Sequence, residues 1–492
     1  MLSETDGGPG AVTPGFMEAI AEIFSLDPDA PALGHGDRWY SYGELSVAVG
    51  DLVDRLDELG VGAGSPVALV LPNSPAGVVG LLAVFRLGAT ALTLSPRRAG
   101  AEASAAPATM ALVTAHPGAP DDLECAITVE KGADSRVQQF PGVAVLMGTS
   151  GTTGEPKRLE VTYESIDASL AGVRALAARN DSSSRGPALK TSVNLVCFPL
   201  LHLAGLLPLL ITLMTGRRTA LMAKFEPLEA ARLVREHRIS SVALNPTALS
   251  MLLDADIDPS DLASLRFARA GSAPLSPEVA ERFEERFGTA VLQAYGQTET
   301  GGEIVGWRPT DHAEFGAVKR GSVGRPHPGI EIAVVAGASN PDAGILPVGS
   351  SGELWARGIR GIEGWHRLGD VGRVDADGFV WIEGRADDLI ICGGFNIAPL
   401  HVERTLEQHP AVKEAAVVGI PDERLGQIPV AVLATDDGVA ADLEEIRGWC
   451  RDHLEHYQVP RRFVTVDALP RNEIDKVHRP SVTELATTNL SQ

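Results

Sequence analysis

The sequence predicts an α/β protein with a large, multi-layer N-terminal domain and a small, mobile α+β domain at its C-terminal end. Short apolar or β-branched runs alternate with longer stretches of helical periodicity over most of the 492 residues, as in α/β layers. The composition, with 44% hydrophobic and 22% charged residues, is typical of a folded protein. The length exceeds what one ordinary hydrophobic core supports, so either about three units or one large domain plus a small one is expected.

The N-terminal part supplies the clearest elements of this alternation. Apolar runs bounded by turn residues predict strands, and apolar residues at helical spacing predict helices. The predicted strands are Pro66–Leu71, Ser192–Phe198 and Ser241–Leu244, the predicted helices are Tyr42–Leu59 and Pro277–Phe287, and the segment rich in glycine and proline, Gly321–Gly352, is expected to be β-rich.

The apolar segment Leu195–Thr215 is long enough to span a bilayer and is followed by two arginines. It also contains Pro199, His202 and Pro208. Two prolines in such a run favour a buried strand, a turn and a buried helix over a membrane span. We therefore expect no membrane span.

A domain boundary is predicted close to Gly384. A strand hairpin, Gly372–Glu383, with the turn Asp375–Gly378 precedes it, and a self-contained unit follows. We predict a large domain over residues 1–384, a connecting segment over 385–388, which the family resemblance described below implies to be a hinge, and a small domain over 389–492. The small domain is predicted to contain the helix Pro399–His409, the strands Glu414–Val418 and Val430–Leu433, and the charged helix Leu443–His456.

Charge and cysteine usage exclude several classes of function. The net charge of −22 argues against a nucleic-acid surface but not against ATP, which needs only a few cations in one cleft. Four widely spaced cysteines and an acidic, glycine-rich N-terminus predict a cytoplasmic protein with reduced thiols. His453 and His456 lack a carboxylate framework, so a solvated helix face is favoured there over a metal site.

The stretch Thr149–Lys157, of sequence TSGTTGEPK, is the first candidate site. Its glycines allow the backbone to approach an anion closely, its hydroxyls add donors, and Lys157 adds a cation. Only seven lysines occur beside thirty-five arginines, so a lysine inside a motif is informative. The stretch differs from a Walker loop because no Gly-Lys dipeptide occurs. The alternative is a polar glycine loop that only joins two elements.

A second cluster of reactive side chains occurs in Gln293–Glu299, of sequence QAYGQTE. Tyr295 is suited to stack on a base, Thr298 to donate to a phosphate and Glu299 to bind Mg²⁺. Further along the chain, Asp370 is suited to accept hydrogen bonds from ribose hydroxyls.

Taken in order, these segments resemble the adenylate-forming superfamily, which includes acyl-CoA synthetases, peptide-synthetase adenylation domains and beetle luciferases. The resemblance also includes Gly384-Arg385, the segment Gly393–Pro399 and the segment Pro470–Lys476, and it extends from about Trp39 to Arg479. The combination of the phosphate loop, YGQTE, Asp370, the GRADD hinge and a late lysine is highly specific.

The resemblance implies a role for each matching residue. The β- and γ-phosphates of ATP would be held by Thr149, Ser150, Gly151, Thr152, Thr153, Gly154 and Lys157, and the adenosine would be bound by Gly271, Ser272, Ala273, Pro274, Ala294, Tyr295, Gly296, Asp370 and Arg385. The catalytic group would be Lys476, which bridges the substrate carboxylate and the α-phosphate, with Thr298 and the Mg²⁺ ligand Glu299. Asp387 would be the hinge, and Gly393 and Gly394 would lie beside the pantetheine of coenzyme A.

The same resemblance implies an acid pocket formed by His202, Gly205, Asn245, Gly271 and Gly301. The alternative for His202 is a hydrogen-bonded core histidine in an apolar run. The aspartate by which relatives that activate amino acids pair with a substrate ammonium is absent. We therefore expect an apolar pocket for a small aryl, fatty or terpenoid-like carboxylic acid.

The sequence departs from the family pattern at four places. Leu368 replaces a threonine before Gly369-Asp370, Arg158 and Asp475 stand where glycines are common, and the loop before Trp365 is short. Lys476, Asp370 and Glu299 are retained, so adenylation is expected, and coenzyme A is the expected acceptor in the second step. The alternatives are transfer to an acyl carrier protein or another partner, or a nucleotide-binding protein without turnover.

Overall fold

The computed structural model describes residues 14–70, 72–94, 111–115, 122–128, 138–149, 157–170, 187–337, 340–359, 362–435, 442–472 and 476–490. The chain divides into two compact units. The first comprises residues 1–151, 155–274 and 278–303, and the second comprises residues 152–154, 275–277 and 304–492. The predicted hinge, 385–388, lies inside the second unit, so the predicted domain boundary stays a prediction.

The largest sheet of the first unit has six strands in the order β6-β5-β3-β4-β7-β8. Strands β3, β4, β5 and β7 are parallel, whereas β6 and β8 pair antiparallel at the edges. The strands are β3 (Pro66–Val70), β4 (Thr90–Leu94), β5 (Ala111–Ala115), β6 (Cys125–Thr128), β7 (Val143–Thr149) and β8 (Lys157–Thr162). This arrangement confirms the predicted α/β class and the predicted strand from Pro66.

A second sheet of the first unit has the order β2-β1-β10-β9. Its strands are β1 (Pro31–His35), β2 (Arg38–Ser41), β9 (Val193–Val196) and β10 (Arg218–Leu221). The associated helices are α1 (Gly15–Phe24), α2 (Tyr42–Glu58), α3 (Pro75–Arg86), the helical residues 163–170 (α4) and α5 (Leu203–Met214). Their apolar faces form one core with the two sheets.

Helix α2 shows how local sequence sets these boundaries. The Ser41 side chain accepts from the Glu44 amide, and the Glu44 carboxylate accepts from the Ser41 amide. This capping box satisfies two amides that the first helical turn leaves unpaired. The helix begins at Tyr42, as the sequence predicts.

A third group of strands in the first unit is parallel. It contains β11 (Ser241–Leu244), β12 (Phe267–Ala270) and β13 (Ala290–Gln297), paired in that order. The accompanying helices are α6 (Pro227–His237), α7 (Pro246–Asp254) and α8 (Pro277–Phe287). Strand β11 and helix α8 have the predicted boundaries.

The second unit contains antiparallel strands from Ile304 onward. Strand β14 (Gly302–Gly306), whose last three residues belong to this unit, pairs with β15 (Arg325–Pro326) at Val305–Pro326 and Gly306–Arg325. A four-stranded sheet follows, with the helix α9 (Pro309–Phe315) before it. Its strands, in order, are β16 (Glu331–Val335), β17 (Gly352–Arg357), β18 (His366–Val374) and β19 (Val380–Arg385).

The C-terminal part of the second unit is an α+β layer around its own core. Strands β20 (Ile390–Cys392), β21 (Phe395–Ile397), β22 (Glu414–Asp422), β23 (Gly426–Ala434) and β24 (Arg462–Val466) form one sheet. The helices are α10 (Pro399–Glu407), α11 (Leu443–His453) and α12 (Arg479–Leu490). The predicted strands and the first two helices are confirmed, whereas α12 lies beyond every predicted element.

The apolar segment that resembles a membrane span forms the predicted strand, turn and helix. Strand β9 covers its beginning, and α5 covers its end with Pro208 inside the helix. No helix in the described ranges is long and apolar enough to cross a membrane.

Candidate active site

The predicted phosphate loop joins two neighbouring strands. Strands β7 and β8 form an antiparallel hairpin in which Thr149 pairs with Lys157. The stem extends back to the pair Val145–Val161, and both of these side chains are buried. The loop residues Ser150, Gly151, Thr152, Thr153, Gly154, Glu155 and Pro156 lie outside the described residues. A rigid stem therefore fixes the two ends of the loop.

Three parallel strands end at one edge of the sheet in the first unit. In the register of β11, β12 and β13, Leu244 pairs with Ala270, and Ala270 pairs with Gln293. The residues that follow these positions are therefore neighbours. Open α/β sheets bind ligands outside the carboxyl ends of their parallel strands. The structure thus brings together three predicted site segments, which begin at Asn245, Gly271 and Ala294.

Gly271 is closely packed between the segment that follows Leu244 and the segment that begins at Ala294. Its amide donates to the Leu244 carbonyl oxygen at 3.2 Å. A Cβ at Gly271 would lie 3.2 Å from the Ala294 carbonyl oxygen. Ser272 follows with φ of +72°, a left-handed conformation that is rare for a residue with a side chain. The predicted segment Gly271-Ser272-Ala273-Pro274 therefore combines a close approach with backbone strain, as functional loops often do.

The segment with Tyr295 and Glu299 ends in a compact turn. A Cβ at Gly296 would lie 2.0 Å from the Gly302 carbonyl oxygen, so this position requires glycine. The buried Thr300 hydroxyl accepts from the Gln297 amide at 3.0 Å and lies 2.7 Å from the Gly302 carbonyl oxygen.

The turn leaves Tyr295 and Thr298 partly exposed, and Glu299 exposed. The accessible Glu299 carboxylate fits Mg²⁺, which commonly takes one or two carboxylates together with substrate phosphates. No group of three or more His, Cys, Asp or Glu side chains within the described part of the chain could hold a metal by itself. A metal at Glu299 would therefore depend on the nucleotide for further oxygen ligands.

The predicted pocket segment before α5 is held by an asparagine that the sequence analysis missed. The Asn73 amide group donates to the carbonyl oxygens of Phe198 at 2.9 Å and Met222 at 3.1 Å, and its side-chain oxygen accepts from the Leu200 amide at 2.8 Å. Asn73 is itself buried. One side chain therefore satisfies three backbone groups and fixes the turn that leads to His202.

His202 is the N-cap residue of α5 and is partly buried. Its amide donates to the Pro199 carbonyl oxygen at 3.1 Å, and its own carbonyl oxygen accepts from the Gly205 amide at 3.0 Å. The turn thus places the imidazole at the start of a helix that is otherwise apolar. Burial raises the pKa of the nearby Cys197 thiol to about 12, so it is not a thiolate nucleophile at neutral pH.

The two remaining pocket residues have structural partners. The Asn245 side-chain oxygen accepts from the Ala248 amide at 2.7 Å and caps α7. The Gly301 carbonyl oxygen accepts from the Ser169 hydroxyl at 3.0 Å, which links the turn after Thr298 to α4.

In the second unit, Asp370 and Arg385 are paired. They are register partners on β18 and β19, and Arg385 Nη1 lies 3.3 Å from Asp370 Oδ1. Asp370 is buried, whereas half of the Arg385 side chain is exposed. Leu368, which stands where relatives have a threonine, is buried in the core. The departure at Leu368 therefore leaves the Asp370–Arg385 pair intact.

The predicted hinge and coenzyme A segment are adjacent in sequence. Asp387 is exposed in the turn between β19 and β20. Gly393 and Gly394 form the turn between β20 and β21 with φ of +59° and +88°, which favours glycine at both positions. A Cβ at Gly394 would meet no atom within 4 Å. The turn is therefore open on that side.

Lys476 lies where two short chain segments, residues 470–472 and 476–478, pair with each other. The Asn472 amide donates to the Lys476 carbonyl oxygen at 2.8 Å, and the Lys476 amide donates to Asn472 Oδ1 at 3.0 Å. Arg471 and Val477 form an antiparallel bridge, and Arg471 forms an ion pair with Glu414 on β22. We refer to the paired residues 470–472 and 476–478 as the Lys476 hairpin. Glu473–Asp475, including the unusual Asp475, lie outside the described residues.

Comparison with known proteins places these features in a family. The profile of the AMP-binding enzyme family matches residues 22–365, and that of the AMP-binding enzyme C-terminal domain matches residues 401–476. The chain belongs to the AMP-binding enzyme family. This membership confirms the resemblance to adenylate-forming enzymes.

Individual relatives of this AMP-binding enzyme are similar over almost their whole length. This chain is 31% identical to a 2-succinylbenzoate–CoA ligase of Bacillus pumilus, with 92% of this chain and 95% of the relative covered. It is also 31% identical to a feruloyl-CoA synthase of Amycolatopsis, with 93% and 96% covered. The solved o-succinylbenzoate CoA synthetase of Bacillus subtilis, in complex with its acyl-adenylate intermediate, is 28% identical. It aligns with a TM-score of 0.75 over 95% of this chain and 98% of that structure.

Proposed function

We propose that this enzyme uses ATP to activate a hydrophobic carboxylic acid as its acyl-AMP, with release of pyrophosphate, and then transfers the acyl group to coenzyme A. Two kinds of relative that cover almost the whole chain, 2-succinylbenzoate–CoA ligases and feruloyl-CoA synthases, are named for aromatic acids, and a structural relative is solved with an acyl-adenylate. An aryl acid is therefore the substrate class that we favour over a fatty or terpenoid-like acid.

The observation that carries this proposal is the shared carboxyl edge of β11, β12 and β13. Asn245, Gly271 and Ala294 begin three neighbouring segments there, and Ser272 has a strained backbone beside them. The edge combines closely approaching backbone segments at Gly271 with a partly exposed Tyr295 ring. Open α/β sheets bind small ligands such as nucleotides at such an edge.

The chemistry requires positioning and electrostatic stabilisation rather than covalent catalysis. The substrate carboxylate attacks the α-phosphorus, and pyrophosphate leaves. We propose that the loop between Thr149 and Lys157 holds the β- and γ-phosphates, and that Lys476 bridges the carboxylate and the α-phosphate. Donors fixed before the reaction stabilise developing charge without reorganising. Mg²⁺ at Glu299 would supply further neutralisation of the phosphates.

The ribose and the second step involve residues of the second unit. We propose that Asp370 accepts hydrogen bonds from the ribose hydroxyls, and that the paired Arg385 keeps its carboxylate ionised and oriented. Rotation at Asp387 would withdraw Lys476 after adenylation and bring the open turn at Gly393-Gly394 beside the pantetheine of coenzyme A. An acyl carrier protein is the alternative acceptor.

An acid panel tests the proposal. The purified enzyme would be incubated with ATP, Mg²⁺ and ferulate, 2-succinylbenzoate, benzoate or decanoate, with and without coenzyme A. We expect pyrophosphate release with an aromatic acid and an acyl-CoA product when coenzyme A is present. Pyrophosphate release without a thioester would favour another acceptor. ATP binding with neither product for any acid would favour a nucleotide-binding protein without turnover.

Replacement of Lys476 tests the catalytic assignment. Lys476→Ala should abolish nearly all acid-dependent ATP–pyrophosphate exchange, because the other lysine or arginine of the Lys476 hairpin, Arg471, is paired with Glu414 and would not take its place beside the α-phosphate. A loss of about 100-fold or more is expected for a group that acts only in the transition state. Circular dichroism and the unfolding midpoint should stay unchanged. Undiminished exchange would contradict the assignment.

A further inference from the structure

Arg479, three residues after Lys476, contacts three separate elements of the second unit. Its Nε lies 3.2 Å from Asp388 Oδ2, and its Nη2 lies 3.0 and 3.2 Å from the two carboxylate oxygens of Glu403. Its Nη1 donates to the Val417 carbonyl oxygen at 2.9 Å. Every nitrogen of the guanidinium group therefore has a partner.

The partners of Arg479 are themselves well ordered by burial and hydrogen bonds. The Glu403 side chain on α10 is 9% exposed, and its Oε1 also accepts from the Val417 amide at 2.8 Å. The Asp388 side chain is 19% exposed. A planar guanidinium group is suited to such a fixed set of acceptors because its five donors point in set directions. Lysine could neutralise Glu403 but could not reproduce all three contacts.

The positions of the Arg479 contacts along the chain indicate a role for them beyond stability. Asp388 follows the predicted hinge residue Asp387, and Arg479 directly follows the Lys476 hairpin. The base of that hairpin is closed by the His478 amide, which donates to the Pro470 carbonyl oxygen at 2.7 Å. Arg479 also begins α12. The residue that directly follows the hairpin is thus bonded to Asp388, the last residue of the predicted hinge, although about ninety residues separate the two in sequence.

We propose that Arg479 is a positioning residue for Lys476: it fixes the base of the Lys476 hairpin to Asp388 and Glu403, so that the hairpin moves with the segment that begins at Asp388, directly after the predicted hinge residue Asp387. This inference rests on the proposed role of Lys476. Arg479 does not contact the reacting atoms; it determines where the lysine is delivered. A shift of about 1 Å in a positioned group can reduce the rate about 100-fold.

The test separates the two half-reactions of the full-length enzyme. Adenylation is measured as ATP–pyrophosphate exchange with the acid from the panel that gives the fastest exchange. Thioester formation is measured separately, from the preformed acyl-adenylate of that acid and coenzyme A. Arg479→Ala should lower the kcat of exchange about 100-fold with little change in the KM for ATP or acid. Its thioester step should change less than about threefold, because that step does not use Lys476.

Two conservative variants keep the test informative if Arg479→Ala, which leaves Glu403 buried without its cation, does not fold. Arg479→Lys retains the positive charge but loses the planar guanidinium group and its fixed donors. Asp388→Asn weakens only the contact between Arg479 and residue 388. Both should lower exchange about tenfold, with unfolding midpoints near that of the parent enzyme. Arg447→Ala is the matched control in the same unit and should leave both half-reactions unchanged. Within the described part of the chain, the carboxylate that pairs with Arg447 is that of the exposed Glu444.

The outcomes distinguish this inference from the proposed function. Loss of exchange in the Arg479 and Asp388 variants with the thioester step retained would support it. Equal losses in both half-reactions, in proportion to lost stability, would show a merely structural role and overturn it. Exchange lost in Lys476→Ala but normal in Arg479→Ala would overturn the positioning role alone. Normal exchange in Lys476→Ala would overturn both the role of the lysine and the inference that depends on it.

Discussion

Gly205 in the first turn of α5 allows the acid pocket to be tested by a single methyl group. A Cβ at Gly205 would lie 2.4 Å from the Pro199 carbonyl oxygen and 2.6 Å from the Phe198 carbonyl oxygen. Both distances are far below van der Waals contact, and both atoms belong to the backbone. Gly205→Ala must therefore displace the segment that leads to His202. Asn73 holds the same segment from its other side through Phe198 and Leu200.

Gly50 in α2 is a matched control, because a Cβ there would meet no atom within 4 Å. Alanine in place of glycine inside a helix stabilises it by about 0.5–1 kcal/mol. That gain is common to both positions, so the difference between the variants isolates the steric effect. Overpacking a buried site costs about 1–3 kcal/mol. We expect Gly205→Ala to be less stable than Gly50→Ala by about that amount.

Urea unfolding measures the stability difference, and exchange kinetics measure its consequence for the pocket. Gly205→Ala should raise the KM for the acid several-fold and leave the KM for ATP nearly unchanged, because the displaced turn carries His202 but not the phosphate loop. Gly50→Ala should match the parent enzyme in both constants. Equal stability of the two variants would refute the steric reasoning, and an unchanged KM for the acid would refute the placement of the pocket.

Three further variants test other parts of the structure. Asn73→Ala should cost about 3 kcal/mol in urea unfolding, because it removes two buried hydrogen bonds and one partly buried hydrogen bond to the backbone. Asn489→Ala on the exposed face of α12 should cost little, and similar losses in the two variants would contradict this account. Asp387→Pro should slow thioester formation far more than exchange if Asp387 is the hinge, and equal losses would count against it. Burial raises the pKa of Glu407 from 4.5 to about 8. Between these two pH values the folded state retains a proton that the unfolded chain releases. The free energy of unfolding therefore falls by up to about 1.4 kcal/mol per pH unit as the pH rises through this range. Glu407→Gln should remove this decline, and urea unfolding at pH 5 and pH 8 would reveal a variant that keeps it.

Local patterns predict the elements of this fold well where the signal lies within one element. The alternating run before the turn at Asp375 becomes the hairpin of β18 and β19, and the Asp375 amide donates to the Phe379 carbonyl oxygen as such a turn requires. The two prolines in the apolar segment correctly predict a strand, a turn and a helix. In each case, the information needed lies within about twenty residues of sequence.

Long-range pairing explains what the sequence alone leaves open. Asn73 follows an apolar strand and precedes a helix, so its local pattern indicates a helix cap. The cap is in fact Ser74, which accepts from the Gly77 amide at 3.3 Å. The partners of Asn73 lie 125 to 149 residues away, and only the folded chain brings them together. The same holds for Arg479, which the sequence identifies only as the end of the stretch that resembles the family. No local pattern indicates its role, because its partners are distributed over three separate parts of the chain.

Backbone strain at Ser272 gives an independent reason to place the site at the carboxyl edge of β11, β12 and β13. Among the described residues, Arg238 is the other residue with a side chain and positive φ, and it follows the last turn of α6, where a left-handed residue commonly ends a helix. Ser272 has no such explanation, because it follows a strand. Its conformation costs of order 1 kcal/mol, and the surrounding structure must maintain it. Gly271, beside Ser272, admits no larger residue unless its neighbours adjust. Together, the two residues indicate a backbone shaped for a ligand rather than for packing.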